Sequence, residues 1–236
     1  MEMKKNMLDN KITMVIKDYN SEFSVEDSVD IKELLDRKID KVKIISINDI
    51  SDVLFHEFSV YEVVNKFMNK YNKKGKKFLK DIFNLSTLSL DYLKKDPYNL
   101  NESEKFKLVL VLVLILNPKV IIINNMSCFL DNSSRNDIVF TLKKLKRVYK
   151  KTIIIVDNDV DYVYKVADNV IVLVDNNVLL NDKKECIYEE YNNLKRNKVS
   201  IPIYIEFIKE ARKKNKEELL IRDDVKDIMK DIYRSL

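Results

Sequence analysis

The sequence predicts an α/β fold built on a parallel sheet, and three observations carry that reading. Short runs rich in β-branched residues recur at 12–16, 43–47, 120–123, 152–156 and 170–174, each flanked by longer amphipathic stretches. The last three runs are continuously apolar rather than alternating, as strands buried on both faces are. Between them, 132–150 carries Ile138, Leu142, Leu145 and Val148 at helical spacing, and 160–167 reads as another short helix. An order of strand, helix, strand, helix, strand calls for parallel pairing.

The other elements follow in chain order. Residues 59–95 are rich in Lys, Tyr and Phe and read as helical, without a strand signal. The apolar run 108–116 could be a buried strand or a buried helix, because periodicity cannot separate the two. It stops at Asn117-Pro118-Lys119, well short of the roughly 20 residues that span a bilayer, so its place is the protein interior. Residues 183–236 return to helical character, with Pro202 and a charged close. No internal repeat, low-complexity linker or Pro/Gly hinge divides the chain.

Composition narrows the function classes. The 236 residues, 46% hydrophobic, suffice for one sizeable core or two small ones. A net charge of +5 with 34% charged residues is mildly basic and lacks the lopsided charge typical of a nucleic-acid binder. Cys128 and Cys186 have no metal-type spacing, and His56 is the single histidine, so neither a disulfide framework nor a zinc site is expected, and His56 takes no role. The opening Met1-Glu-Met-Lys-Lys-Asn leads into polar residues, so export is not expected. Gly75 is the one glycine, which excludes a glycine-rich phosphate loop. The lysine runs 72–77 and 143–147 read as solvated helix faces, with a phosphate-binding patch as the alternative.

From Tyr98 to Leu180 the chain carries a spaced series of motifs. Leu100-Asn101-Glu102-Ser103-Glu104 is followed by the turn Leu116-Asn-Pro-Lys119 and then by Val120-Ile-Ile-Ile-Asn124-Asn125-Met126-Ser127. Leu130-Asp131 and Thr152-Ile-Ile-Ile-Val-Asp157-Asn158 come next, and Ala167-Asp168 leads into a final strand pair. This series resembles the region from signature to H-loop of ABC transporter ATPases, which reads Leu-Ser-Gly-Gly-Gln, then four apolar residues and Asp-Glu, then a D-loop, then Ser-His. Upstream, 43–48 resembles the strand into the Q-loop, with Asn48 in place of Gln, followed by Leu54-Phe55 and 58–63. Downstream, 194–202 and Ile205–Arg212 resemble the C-terminal helices of the energy-coupling factor (ECF) branch.

The resemblance implies a truncated P-loop NTPase sheet of ABC ATPase type with an inserted helical subdomain and a C-terminal helical tail. It makes 108–116 a helix. Its division is 1–58 as a residual ATPase core without a P-loop, 59–104 as the helical subdomain, 105–182 as a βαβ core and 183–236 as a dimerisation tail. The same resemblance locates the departures at Asn48, Asn101, Glu102, Ser103, Glu104, Asn124, Asn125, Asp131 and Asn158. Asn124 and Asn125 replace carboxylates with neutral amides, which bind Mg²⁺ weakly and make poor bases. Glu102 and Ser103 stand at the two signature glycines, where they block close backbone approach and bring negative charge towards phosphate. Asn158 replaces an imidazole between Asp157 and Asp159, so two carboxylates are expected to face a γ-phosphate position.

The sequence-level expectation is therefore an ABC ATPase-like subunit without catalysis or cofactor, ATP and Mg²⁺ being the family's. It is expected to be a structural partner of a second ECF-type ATPase and a membrane T component in micronutrient or metal uptake. Its expected place is cytoplasmic, peripheral at the membrane through these partners, with Ile203, Phe207, Ile208 and Ala211 of the tail as the partner-binding set. Two alternatives stay open, an ATP-binding subunit with a rewired site and a basic nucleic-acid-binding protein.

Overall fold

The computed structural model describes residues 10–36, 39, 42–48, 50, 59–213 and 230. His56, Leu54, Phe55 and Phe58 of the Q-loop comparison and most of the charged C-terminal close lie outside them. In chain order the elements are β1 (Ile12–Lys17), β2 (Val29–Asp30), α1 (Ile31–Asp36), β3 (Ile44–Ile47), α2 (Val60–Lys70), α3 (Lys76–Leu85) and α4 (Glu102–Leu116). They continue with β4 (Val120–Asn124), α5 (Met126–Phe129), α6 (Asn132–Arg147), β5 (Thr152–Val156), α7 (Val160–Tyr164) and β6 (Asn169–Val174). The last are β7 (Asn177–Lys183), α8 (Cys186–Glu189), α9 (Tyr191–Arg196) and α10 (Ile203–Lys213).

The strands form one sheet in the order β2-β3-β4-β5-β1-β6-β7. β2 pairs parallel with β3, β3 with β4 and β1 with β6, while β7 turns back antiparallel on β6. All five strand runs read from the sequence are strands, and β4 and β5 show why they lack alternation: the four apolar residues of β4 and every residue of β5 are buried. The edge strand β7 is largely exposed and polar. Neither β2 nor α1 was expected, because two residues, Val29 and Asp30, leave no periodic signal. The chain divides into two units, Thr13–Phe23 with 156–236 and Ser24–Ile155 with the residues leading into β1.

In the Ser24–Ile155 unit, α4 is the centre. Its residues from Leu108 to Ile115 are all buried, and a helix apolar on every side must be covered on every side. The 108–116 run is thus helical, as the family resemblance implied. α2 packs against it with an inward face of Val60, Val63, Val64 and Phe67, and α3 with Ile82, Phe83 and Leu85. Phe106 stacks on Phe129 of α5 with ring centroids 6.0 Å apart. Each such buried side chain contributes about 1.5–3 kcal/mol.

Backbone turns in this unit are made almost without glycine. Gly75 sits at φ 120° ahead of α3, where a side chain would be strained. Elsewhere among the described residues ten other residues take positive φ, and seven of them are Asn or Asp, the side chains that best tolerate the left-handed region. Asn117 ends α4 in this way, at φ 55° and ψ 49°.

Lys151 then fastens that turn. Its buried ammonium donates to Asn117 Oδ1 at 2.6 Å, to Asn117 O at 3.3 Å and to Pro118 O, tying the approach to β4 to the start of β5. A cation at a helix C-terminus also complements the helix dipole. Burial pushes the Lys151 pKa down from the ordinary lysine value. Thr141 Oγ1 donates to Leu85 O at 2.8 Å in the core, joining α6 to α3.

In the other unit, Tyr164 is fully buried and meets Tyr204 edge-on at 5.2 Å, with the Lys184 ammonium donating to Tyr164 O. Asp161 accepts the Ile203 N–H at 2.7 Å and so anchors the start of α10. Further along α10, Arg212 donates to the Tyr188 hydroxyl at 2.9 Å and Lys209 lies 3.9 Å over the Tyr188 ring, docking α10 on α8.

Replacing Lys151 with Met keeps the apolar stem and removes three charge-assisted hydrogen bonds. Urea denaturation should show a loss of about 2 kcal/mol, the scale of net hydrogen bonding to a charged group, and an unchanged midpoint would refute the clamp.

Candidate functional site

In parallel α/β sheets, ligands bind beyond the carboxyl ends of the strands. At that end of β3 and β4, Asn124 Nδ2 donates to Asn48 Oδ1, and Asn48 Nδ2 donates to Asp30 Oδ2 at the end of β2. Three neighbouring strands are thus joined by a chain of side chains. Asp30 also accepts the Lys32 N–H at 2.8 Å, capping α1. The spacing pointed to Asn48 and Asn124, and the structure brings them together. It did not point to Asp30, whose only local signal is its place one residue before a helix.

Asn125 follows in the left-handed region at φ 51°, ψ 40° and turns the chain into α5, without a side-chain cap. Asn is suited to that backbone, whereas a longer side chain is strained there. Among the described residues no group of three or more His, Cys, Asp or Glu side chains stands together to hold a metal ion.

The signature positions are committed to helix caps. Asn101 accepts the Glu104 N–H at 2.9 Å while Glu104 Oε2 accepts the Asn101 N–H at 3.0 Å, a reciprocal capping box at the start of α4. Glu104 Oε1 also accepts the Tyr92 hydroxyl at 2.7 Å and the Lys95 ammonium at 3.3 Å. Partial burial works against ionisation of Glu104, but these donors outweigh it and hold the carboxyl below its ordinary pKa. Buried Ser103 donates to Phe129 O at 3.0 Å and accepts the Asp131 N–H at 2.9 Å. Asp131 in turn caps α6, accepting from Ser133 Oγ at 2.7 Å and the Ser134 N–H at 2.8 Å, and these bonds hold its carboxyl well below the usual range. Glu102 is exposed and pairs with Lys105 at 3.0 Å.

In the unit of β1, the segment after that strand enters no helix: residues 18–28 are turns and extended backbone. Its polar groups are used on the β6–β7 turn. Asp18 accepts the Asp175 N–H at 3.1 Å, Ser21 Oγ accepts the Asn176 N–H at 2.9 Å, and Asn176 Oδ1 accepts the Glu22 N–H at 2.9 Å. A phosphate loop needs a helix N-terminus with several backbone N–H groups aimed at the anion. A Mg²⁺–nucleotide group of P-loop type therefore does not fit this segment, just as it does not fit the amide pair at the end of β4. In the same unit Asn158 is exposed, while Asp157 accepts the Asp159 N–H at 3.0 Å and Asp159 caps α7 through the Tyr162 N–H at 3.0 Å. Both carboxylates, expected to face a phosphate position, accept backbone N–H bonds in the turn that starts α7.

On α10, Ile203 and Phe207 are exposed, one helical turn apart on one face. Ile208 is fully buried inside its own unit and Ala211 is half-buried, so Ile208 serves α10 docking and is not available to a partner.

No family model matches the chain. Its sequence is 29% identical over 143 residues to the energy-coupling factor transporter ATP-binding protein EcfA2 of Clostridium acetobutylicum, covering 61% of this chain and 46% of that protein. It is 31% identical over 138 residues to EcfA1 of Ureaplasma parvum, covering 55% and 47%. The chain spans about half the length of the curated relatives it matches. Its fold superposes on cbiO1 from Clostridium perfringens, part of the ABC transporter complex cbiONQ, with a TM-score of 0.59 and 18% identity over 85% of this chain and 88% of that one. The seven-stranded, mostly parallel sheet is the fold of that ABC transporter component, and the matched stretch resembles ABC transporter ATP-binding proteins. Both sequence relatives named above are ECF transporter ATP-binding proteins.

Ser103→Gly, which restores the family residue at one signature position, should lower stability by about 1–3 kcal/mol, the cost of leaving buried hydrogen-bond partners unmet; unchanged thermal unfolding would show that the Ser103 contacts carry no weight. Glu104 and Asp131 have folded-state pKa values below their unfolded ones, so their contribution is present above roughly pH 4. It is lost as pH falls through the folded values. Melting temperature should accordingly fall on acidification below about pH 4, and less so in the Glu104→Gln, Asp131→Asn double variant.

Proposed function

We propose that this chain is a non-catalytic ABC ATPase-like subunit that serves as a structural partner in an ECF-type transporter complex for micronutrient or metal uptake. The reading rests on one conjunction: kinship with ATP-binding subunits together with Asn124 and Asn125 where that family places its metal-binding and water-polarising carboxylates. The segment directly after β1, whose polar groups are hydrogen-bonded to the β6–β7 turn, supports it. Catalysis of phosphoryl transfer depends on a phosphate cradle, a metal and a water-positioning group together, so the loss of these groups removes turnover rather than slowing it.

Without nucleotide to draw two subunits together, pairing depends on apolar contact. Ile203 and Phe207 offer such a contact on α10, and the corresponding partners are a second ECF-type ATPase and the membrane T component. Among the described residues no helix is long and apolar enough to cross a membrane, in keeping with a cytoplasmic subunit held at the membrane by its partners.

Fluorescent ATP titration is expected to give no binding tighter than about 100 μM, roughly −5.5 kcal/mol. Asn125→Glu is expected to restore no Mg²⁺-dependent hydrolysis, and measurable turnover in that variant would overturn the inactive reading. Purified with a tag from its native membrane, the protein should co-migrate with an ATP-binding partner. The Ile203→Asp, Phe207→Asp variant should lose that partner while keeping its circular dichroism, and retention of full pairing in light scattering would exclude α10 as the contact.

A further inference from the structure

Two lysine-rich segments far apart in the sequence meet at one cavity in the Ser24–Ile155 unit. The cavity measures about 310 Å³, and its wall is aliphatic and aromatic: Phe78, Ile82 and Leu85 of α3, Leu114 and Ile115 of α4, and Leu145 of α6. Lys73, Asp81, Tyr149 and Lys151 supply its polar edge. Lys151 is committed to Asn117 and Pro118, so it brings positive charge without a free N–H. Lys73 is half-buried and, among the described residues, makes no ion pair.

The charge distribution turns this cavity from a packing gap into a site. Segments 73–81 and 143–151 together hold eleven basic residues and one acid, Asp81, whereas the whole chain has a net charge of only +5. The remainder of the protein is therefore net acidic, and the positive charge is gathered on two segments, each of which brings one lysine, Lys73 or Lys151, to the cavity lining. Val148 and Tyr149, beside these lysines, are exposed apolar side chains. An apolar wall asks for an apolar body, and an edge that holds two lysines against the single acid Asp81 asks for a negative head. The volume lies at the low end of the roughly 300–1,000 Å³ seen for small-molecule sites, enough for one short chain.

We propose that this cavity is a binding site for an anionic amphiphile, its single apolar chain lying against α3, α4 and α6 and its anionic head at Lys73. The same chemistry could come from a free chain-bearing acid or from a lipid of an anionic membrane. A nucleic acid is the less suited occupant, since the wall offers leucine and isoleucine rather than an open aromatic platform for stacking.

The full-length protein is titrated with decanoate, decanol and decyltrimethylammonium while methyl resonances are followed by NMR, and is sedimented with phosphatidylcholine vesicles with and without phosphatidylglycerol. Decanoate is expected to bind saturably and at least about tenfold more tightly than the other two probes, a difference of about 1.4 kcal/mol. Lys73→Glu, an edge change, should weaken decanoate about tenfold, and Leu114→Trp should abolish binding by filling the cavity. Phosphatidylglycerol-dependent sedimentation lost in Lys73→Glu would assign the amphiphile to a membrane, and decanoate binding without sedimentation would assign it to a free acid. The proposal fails if neither decanoate nor anionic vesicles bind, if the three head groups bind equally, or if Lys73→Glu changes nothing. It fails equally if a salt-sensitive oligonucleotide occupies the face and decanoate does not displace it.

Discussion

Helix α4 has no solvent face, and most of the Ser24–Ile155 unit is arranged by that fact. Eight consecutive buried apolar residues, Leu108 to Ile115, leave it no stable position except beneath other elements. α2 and α3 exist as amphipathic covers, each with one apolar stripe turned inward and lysines turned out. The helix must then end abruptly to feed β4, and the left-handed Asn117 with the Lys151 ammonium makes that ending without a glycine. The cavity is set by the same packing, because it lies where α3, the end of α4 and the end of α6 converge.

The motif positions show a consistent pattern of side chains turned to local structural work. Where the family presents groups to nucleotide, this chain has Asn101 and Glu104 capping α4, Ser103 joining α4 to the Asp131 backbone, and Asp131 capping α6. At the end of the strands, the Asp30–Asn48–Asn124 chain runs through a hydrogen bond from an amide to an amide and another from an amide to a carboxylate. Amides suit such a relay because each offers both a donor and an acceptor, which a pair of carboxylates cannot do.

The sequence by itself determined the five long strand runs, most helical stretches and a resemblance to ABC transporter ATPases, because those depend on local apolar patterning and on the spacing of short motifs along the chain. It also made legible, without coordinates, the amides at Asn124 and Asn125 and the single glycine on which the proposed function rests. Only the tertiary structure decided the rest. Apolar periodicity cannot tell a buried helix from a buried strand, so α4 needed the family or the fold to assign it. Asp30 joins Asn48 and Asn124 only because parallel pairing puts β2, β3 and β4 side by side. Ile208 and Phe207 are neighbours of equal hydrophobicity in sequence, yet helical rotation buries the first and exposes the second. Lys73 and Lys151 reach one cavity only because α3, α4 and α6 all contribute to its wall. In each case the deciding quantity is a through-space distance between residues remote in the chain, which local propensity does not encode.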